Sequence, residues 1–148
     1  MTRADPSQRY LEVQVNTAAK DDLLILLVDG GLRFAEGALL EMERGSDEDG
    51  ARRSDLLVRS QKIVLELLSS LSPEIGPELY SNLMKLYRFT FFRLFEGNVQ
   101  GDMRQVREGV FMLRHIRDMW REAVDKARRE RPEGPEKPSP NSSISVTG

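Results

Sequence analysis

The side chain best suited to covalent chemistry in this sequence is its one histidine, His115. An exposed histidine on a helical bundle is the phosphate carrier of histidine phosphotransfer domains, which usually place a lysine and a small residue just after it. Here Arg117, Asp118 and Met119 follow instead. Because Arg114 and Asp118 lie beside His115 on the polar side of its predicted helix, a solvated surface histidine is the simpler interpretation, with phosphotransfer as the alternative.

The sequence also gives little support for a metal site or for acid–base catalysis. A di-iron carboxylate bundle needs inward-facing Glu-x-x-His pairs, and Met112 stands where that glutamate would be. No GxxxxGK, HExxH or GxSxG motif occurs. Paired acids such as Asp21 and Asp22 lie at a predicted helix start, where the helix dipole explains them. We therefore expect no enzymatic activity, no cofactor and no metal.

The bulk composition restricts the partners and the compartment. The 148 residues are the length of one domain, and without cysteine they form neither disulfides nor thiolate metal sites. With 22 basic and 24 acidic residues, no overall charge attracts nucleic acid. The start lacks a signal-peptide pattern, and the longest apolar run, Leu23–Val28, is far shorter than the ~20 residues that span a bilayer. We expect a cytoplasmic protein with no nucleic-acid partner and no membrane insertion.

Three polar breaks rich in glycine, proline or acids divide the chain: residues 43–53, 70–78 and 97–102. The segments between them have apolar residues repeating at spacings of three and four, the pattern of amphipathic helices. The predicted helices span about 20–44, 52–72, 76–99 and 102–129, the last capped by Asp102. Since short loops make neighbouring helices antiparallel, we predict an all-α fold, an antiparallel up-down four-helix bundle over residues 19–129.

Two segments lie outside the predicted bundle. Residues 1–18 form an N-terminal capping segment, which we interpret as a lid over a groove. Residues 130–148 lie in the part of the chain beyond Arg128 that holds four of its seven prolines, among glycine, serine and charged residues. Such a composition cannot bury enough apolar surface to order itself, so we predict a disordered tail.

The stretch LLVDGGLRF, residues 26–34, at first suggests a hairpin turn or a phosphate-binding loop. The charged residues around it are spaced to lie along one side of a helix: Asp22, Asp29, Arg33, Glu36 and Glu43. We therefore favour a helix over a hairpin. Gly30 and Gly31 then form a notch on its apolar side, each costing about 1 kcal/mol relative to alanine. Close packing of a neighbouring helix or side chain is the simpler explanation of this helix-packing notch, and a ligand role is the alternative.

Six of the ten aromatic residues fall in the third predicted helix. Two of them, Phe89 and Phe92, lie on its polar side, where the bundle core does not need them. Either the N-terminal segment, with Tyr10 and Val15, folds over these rings, or a partner covers them. The two interpretations are compatible if the segment can be displaced.

Five stretches occur in order along the chain: Tyr10 with VNTA (15–18), LLVDGGLRF (26–34), SQKIVLELLSSL (60–71), LYRFTFFRLFEGNVQGD (86–102) and LRHIRDMWREA (113–123). Together they resemble the flagellin-specific export chaperones of the bacterial flagellar secretion system. The second is similar to that family's "MLYDGAIRF", and the fourth to "LYxYMxRRLxEANxxND". They span Tyr10 to about Lys126, roughly four-fifths of the chain.

The chain also departs from the family pattern. Thr17-Ala18-Ala19-Lys20 replaces a Thr-Ala-Ser-Pro run, so a serine cap and a helix-starting proline are missing. Phe92 stands where an arginine is common, which enlarges the exposed aromatic surface, and Gly97 replaces an alanine.

The resemblance implies a chaperone that binds the disordered C-terminal segment of flagellin, prevents its premature polymerisation and assists its delivery to the flagellar type III export apparatus. A component of the flagellar export gate would be a second partner, and the chain itself would be a monomer or a weak homodimer. The residues that we predict to bind flagellin are Tyr10, Val15, Leu23, Leu27, Phe89, Phe92, Leu94 and Phe95.

Overall fold

The computed structural model describes residues 6–45 and 48–130, with side chains described from Lys20 onward. These residues form four α-helices and no strand, which confirms the predicted four-helix bundle. The helices are α1 (Pro6–Arg44), α2 (Ala51–Ser69), α3 (Pro77–Gln100) and α4 (Met103–Arg129), with a short 3-10 helix (Pro73–Ile75) between α2 and α3. Apart from Glu130, the predicted disordered tail lies outside the described residues.

The first helix begins earlier than the sequence predicted. It starts at Pro6 rather than near residue 20, so residues 6–18 continue directly into the rest of α1. No glycine or proline occurs between Ser7 and Asp29, and the missing Ser-Pro pair leaves no signal for a new start near residue 18. Nothing in the local sequence therefore interrupts the helix.

Each helix runs antiparallel to the next, and α4 returns against α1. Where two contacts are given for a pair of helices, the one that lies later in the first helix lies earlier in the second. The pairs that establish this order are Gly31–Ser60 and Glu41–Arg52 for α1 and α2, Ser54–Asn98 for α2 and α3, Leu94–Gly109 and Tyr87–Trp120 for α3 and α4, and Glu36–Arg114 and Glu43–Arg107 for α4 and α1.

The chain divides into two compact units. Of the described residues, those from Leu24 to Trp120 form one unit, and those up to Leu23 combine with those from Arg121 onward to form the other. In the first unit all four helices contribute to one apolar core, because each has an apolar stripe at spacings of three and four. The buried core residues are Val28, Leu32, Ala35, Ala38, Leu56, Leu57, Val64, Leu67, Leu83, Tyr87, Leu94, Val106, Val110, Leu113 and Ile116. In the second unit, Arg128 pairs with Asp22 at 2.8 Å on the surface.

Two glycines bring α3 and α4 close together. A Cβ added to Gly109 would lie 2.5 Å from Cδ2 of Leu94, and one added to Gly97 would lie 2.6 Å from Cγ2 of Val106 and 3.0 Å from its backbone nitrogen. Contacts this short are not tolerated by real side chains. The absent side chains therefore make room for Leu94 and Val106, both fully buried.

A glycine and a capping aspartate reverse the chain between α3 and α4. Gly101 takes a positive φ of 64°, and the backbone N–H of Asp102 donates to the carbonyl of Gly97 at 2.9 Å. Oδ1 of Asp102 then accepts the backbone N–H of Arg104 at 3.0 Å, so the predicted cap is confirmed. The hydrogen bond from the Gln105 side chain holds the pKa of Asp102 below its usual range. The acid therefore stays ionised at the positive end of α4.

Gly97→Ala should lower the free energy of unfolding by about 1–3 kcal/mol, because the new methyl group meets backbone atoms that cannot turn aside. Gly37→Ala in α1 is the matched control, since its Cβ would lie an ordinary 3.4 Å from Cδ1 of Leu56. The control should gain up to about 1 kcal/mol from helix propensity. Urea unfolding followed by circular dichroism measures both variants, and an unchanged stability of Gly97→Ala would contradict the close approach of α3 and α4.

Candidate functional site

Four large apolar side chains form a row on the outer side of α3, which we call the outer strip. They are Phe89, Phe92, Phe95 and Val99, with exposed fractions of 42%, 52%, 45% and 69%. Spacings of three, three and four residues keep them on one side of the helix over about 15 Å of its length. A contiguous apolar surface of this kind is typical of an interaction site.

The outer strip faces solvent because the opposite side of α3 is held in the core. Leu83, Tyr87 and Leu94 are buried there, and Nε1 of Trp120 donates a hydrogen bond to the Tyr87 hydroxyl at 2.8 Å. Burial raises the pKa of Tyr87, so the phenol stays neutral. These contacts fix the rotation of α3 about its own axis, and with it the direction of the outer strip.

Phe91 supports two rings of the outer strip from beneath. It is half-buried and packs against the core. Its ring meets Phe92 edge to face, with centroids 5.4 Å apart, and stacks on Phe95 at 6.4 Å. Aromatic pairs of this kind contribute about 0.5–1.5 kcal/mol each. The exposed rings are therefore held in place before a partner arrives, which lowers the entropy lost on binding.

The structure brings together three of the eight predicted flagellin-binding residues, Phe89, Phe92 and Phe95. Leu94 differs from the prediction because it is fully buried and packs against Gly109, so it has no surface to offer a partner. It continues the apolar stripe on the core side of α3. Its prediction as a flagellin-binding residue therefore departed from the helical pattern.

The other four predicted residues lie on α1. Leu27 is partly buried and packs against the core of its unit, whereas Leu23 belongs to the other compact unit and is 56% exposed. The side chains of Tyr10 and Val15 lie outside the described part of the chain.

The notch formed by Gly30 and Gly31 is buried and faces α2. A Cβ on Gly31 would lie 3.1 Å from Cγ2 of Ile63, and one on Gly30 would lie 3.4 Å from its Cδ1. The buried hydroxyl of Ser60 donates to the carbonyl of Gly31 at 2.8 Å. In this geometry, side chains of α2 occupy the space that the glycines leave open.

A groove of about 260 Å³ lies between α3 and α4, and we call it the α3/α4 groove. Its lining residues are Phe89, Arg104, Arg107, Glu108, Phe111 and Met112. Phe111 is 67% exposed, and it was not among the predicted site residues, nor was Val99. The available signal was position, since Phe111 comes directly after Val110 and so falls off the apolar stripe of α4.

The residues considered for phosphotransfer or metal binding do not form a site together with the outer strip or the α3/α4 groove. His115 is exposed on α4. Among the described residues, no group of three or more histidine, aspartate or glutamate side chains is placed to hold a metal ion. Within the same ranges, no helix has the length and hydropathy of a membrane span.

Comparison with known proteins supplies the family. The family model described as flagellar protein FliS matches residues 3–127. The chain belongs to the FliS family. This match confirms the resemblance seen in the sequence. Relatives of the chain in this family are named flagellar secretion chaperones.

Three of these relatives show how far the similarity extends. The flagellar secretion chaperone FliS of Bacillus subtilis is 28% identical over 131 residues, covering 88% of this chain and 95% of the relative. FliS of Escherichia coli is 30% identical over 129 residues, covering 84% and 93%. The flagellar secretion chaperone FliSB of Pseudomonas aeruginosa is 32% identical over 113 residues, covering 76% and 87%.

Gly31→Leu tests the role of the notch. The larger side chain collides with Ile63, so the free energy of unfolding should fall by about 1–3 kcal/mol. Ala51→Leu, at an exposed position of α2, enlarges a small residue without such a contact and should change stability little. Chemical unfolding measures both. An unchanged stability of Gly31→Leu, combined with a loss of partner binding, would show that the notch faces a partner instead of α2.

Proposed function

We propose that this chain binds the disordered C-terminal segment of flagellin in the cytoplasm, prevents its premature polymerisation and assists its delivery to the flagellar type III export apparatus. Membership of the FliS family supports the chaperone role. The observation that carries the binding role is the outer strip, because four large apolar side chains stand in solvent along one helix of a folded bundle.

A partner that is disordered before binding suits this surface. Such segments fold against their target and typically bury 1,000–3,000 Å² at an ordering cost of about 2–5 kcal/mol. The outer strip is about as long as a ten-residue helix. We call the bound flagellin segment the client. If the client forms an amphipathic helix beside α3, its apolar side chains at spacings of three and four would lie against Phe89, Phe92 and Phe95.

The outer strip alone does not account for tight binding. Fully burying a large apolar side chain contributes about 1.5–3 kcal/mol, and these four are already about half covered, so together they add roughly 3–6 kcal/mol. Micromolar affinity corresponds to about 8 kcal/mol, beyond the ordering cost of about 2–5 kcal/mol. The client must therefore contact further surface.

The remaining parts of the proposal follow the sequence predictions. Tyr10, Val15, Leu23 and Leu27 are proposed as additional client contacts, and residues 1–18 as a lid that the client displaces. An export gate component receives the loaded chaperone, which acts as a monomer or a weak homodimer. Catalysis, cofactors, metals and nucleic acid have no part in this function.

Replacing both Phe89 and Phe92 with alanine should weaken binding of the flagellin C-terminal segment at least tenfold, because two half-exposed rings no longer bury apolar surface. Helical content and melting temperature should stay nearly unchanged. The matched control replaces Leu40 and Ile75 with alanine, since these are exposed to 45% and 37% elsewhere on the surface. Calorimetric titration and circular dichroism provide the two readouts. An unchanged affinity, or a collapsed fold, would refute the assignment of these rings to the client surface.

Deleting residues 1–16 tests the lid. If this segment competes with the client, its removal should leave the affinity for flagellin unchanged or increase it, because no covering segment has to be displaced. The same titration measures the effect, with the melting temperature as a control for folding. A tenfold or greater loss of affinity in a folded variant would show that the segment is part of the binding site.

A further inference from the structure

The α3/α4 groove continues the outer strip, because Phe89 belongs to both. Its α4 lining residues are spaced over about two turns of helix, roughly 12 Å. The volume of about 260 Å³ is below the roughly 300–1,000 Å³ of drug-sized ligand sites. The groove is therefore of a size for one or two side chains of a bound segment.

The one acid in the groove, Glu108, has an arginine beside it. Nη1 of Arg93 lies 3.6 Å from Oε1 of Glu108, and the same nitrogen donates a hydrogen bond to Oε1 of Gln105 at 3.2 Å. The Arg93 guanidinium also lies over the Phe89 ring, 5.1 Å from its centroid. This arrangement holds Phe89 at the edge of the groove. The positive charge of Arg93 also reduces the repulsion that Glu108 would exert on an acidic partner.

The two arginines of the groove remain available to a partner. Arg104 is exposed, and its positive charge acts on the carboxylate of Asp102, which caps the start of α4. Nη2 of Arg107 lies 3.5 Å from Oε2 of Glu43, with both side chains about half exposed, and 3.2 Å from the sulfur of Met103. Because exposed pairs of this kind contribute little, Arg107 can turn to a better placed carboxylate. The groove thus combines aromatic surface with local positive charge in a chain whose net charge is −2.

We infer that the α3/α4 groove is a second client subsite, which recognises a large apolar side chain of flagellin flanked by one or two carboxylates. The apolar side chain lies between Phe89 and Phe111. The carboxylates pair with Arg107 and Arg104, about one and two helical turns from Phe111 along α4. This inference rests on the proposed function. It adds the type of flagellin side chain that would bind where the groove meets the outer strip.

A single client segment accounts for both surfaces. The outer strip by itself falls short of the free energy that stable binding needs, so the segment requires a second contact area next to it. A segment that contacts Phe89 on the outer strip also contacts the groove, because Phe89 belongs to both surfaces. Because the charges are complementary, the arginines also favour one register of the segment over others that place basic or neutral residues there.

Two variants of the full chain test this subsite by calorimetric titration with the C-terminal segment of the same organism's flagellin. Arg104→Glu reverses the charge at the groove, and its control is Lys62→Glu on the exposed side of α2. Phe111→Ala removes the exposed ring, and its control is Leu40→Ala on α1. Both groove variants should weaken binding at least fivefold, whereas both controls should stay within twofold of the parent chain.

Two further titrations, one at different salt concentrations and one with altered flagellin segments, measure the contribution of the charges to affinity. The loss caused by Arg104→Glu should shrink between low salt and 0.5 M salt, because exposed charges are screened over a few ångströms there. Flagellin segments with single Asp or Glu residues changed to Lys should bind the parent chain less well. At least one of them should recover affinity for Arg104→Glu, which a purely structural role of Arg104 would not produce.

The outcomes separate this inference from the proposed function. If the parent chain binds the segment and the Phe89→Ala, Phe92→Ala variant does not, while both groove variants bind within twofold of the parent, the subsite is refuted and the function stands. If the controls lose as much affinity as the groove variants, the effect is general and the subsite is again refuted. If the parent chain does not bind the segment at all, the proposed function fails and the subsite fails with it.

Discussion

α3 and α4 pack so closely at Gly97 and Gly109 that Leu94 is inserted fully between them. This contact, together with the hydrogen bond from Trp120 to Tyr87, sets the rotation of α3. The rotation in turn directs the outer strip into solvent, and it places one edge of that strip along α4, where the α3/α4 groove forms. A methyl group on either glycine would change the spacing of the two helices, and with it the geometry of both candidate surfaces.

The surface between α1 and α4 has the opposite character. Arg114 pairs with Glu36 at 2.9 Å, and Arg107 lies 3.5 Å from Glu43, both on the exposed side of the two helices. Exposed ion pairs add little to stability, but they place charged groups along this seam. Among the described residues, six of the twelve exposed large apolar side chains lie on α3 and α4, including all four exposed phenylalanines. An amphipathic segment would bury apolar surface by binding along α3 and the α3/α4 groove.

Much of this fold was predictable from the sequence, because proline, glycine and acids mark the breaks. α2, α3 and α4 begin and end within about three residues of their predicted bounds. The start of α1 was placed too late, although the absence of glycine and proline between Ser7 and Asp29 is compatible with the longer helix. Helical spacing correctly placed Phe89 and Phe92 outside the core. The same spacing aligns Leu94 with the buried Leu83 and Tyr87, so its prediction as a client contact departed from the helical pattern; the close packing against Gly109 was not visible in the sequence.

The central claim is that flagellin's C-terminal segment folds onto the apolar surface of α3. The heat-capacity change of binding, from calorimetric titrations at several temperatures, tests it most directly. Burying apolar surface lowers the heat capacity by about 0.45 cal/mol/K per Å², and coupled folding and binding buries on the order of 1,000 Å² or more. We predict saturable binding with a negative change of several hundred cal/mol/K that shrinks when Phe89 and Phe92 are replaced with alanine. Binding with a heat-capacity change near zero, or no binding at all, would contradict the claim.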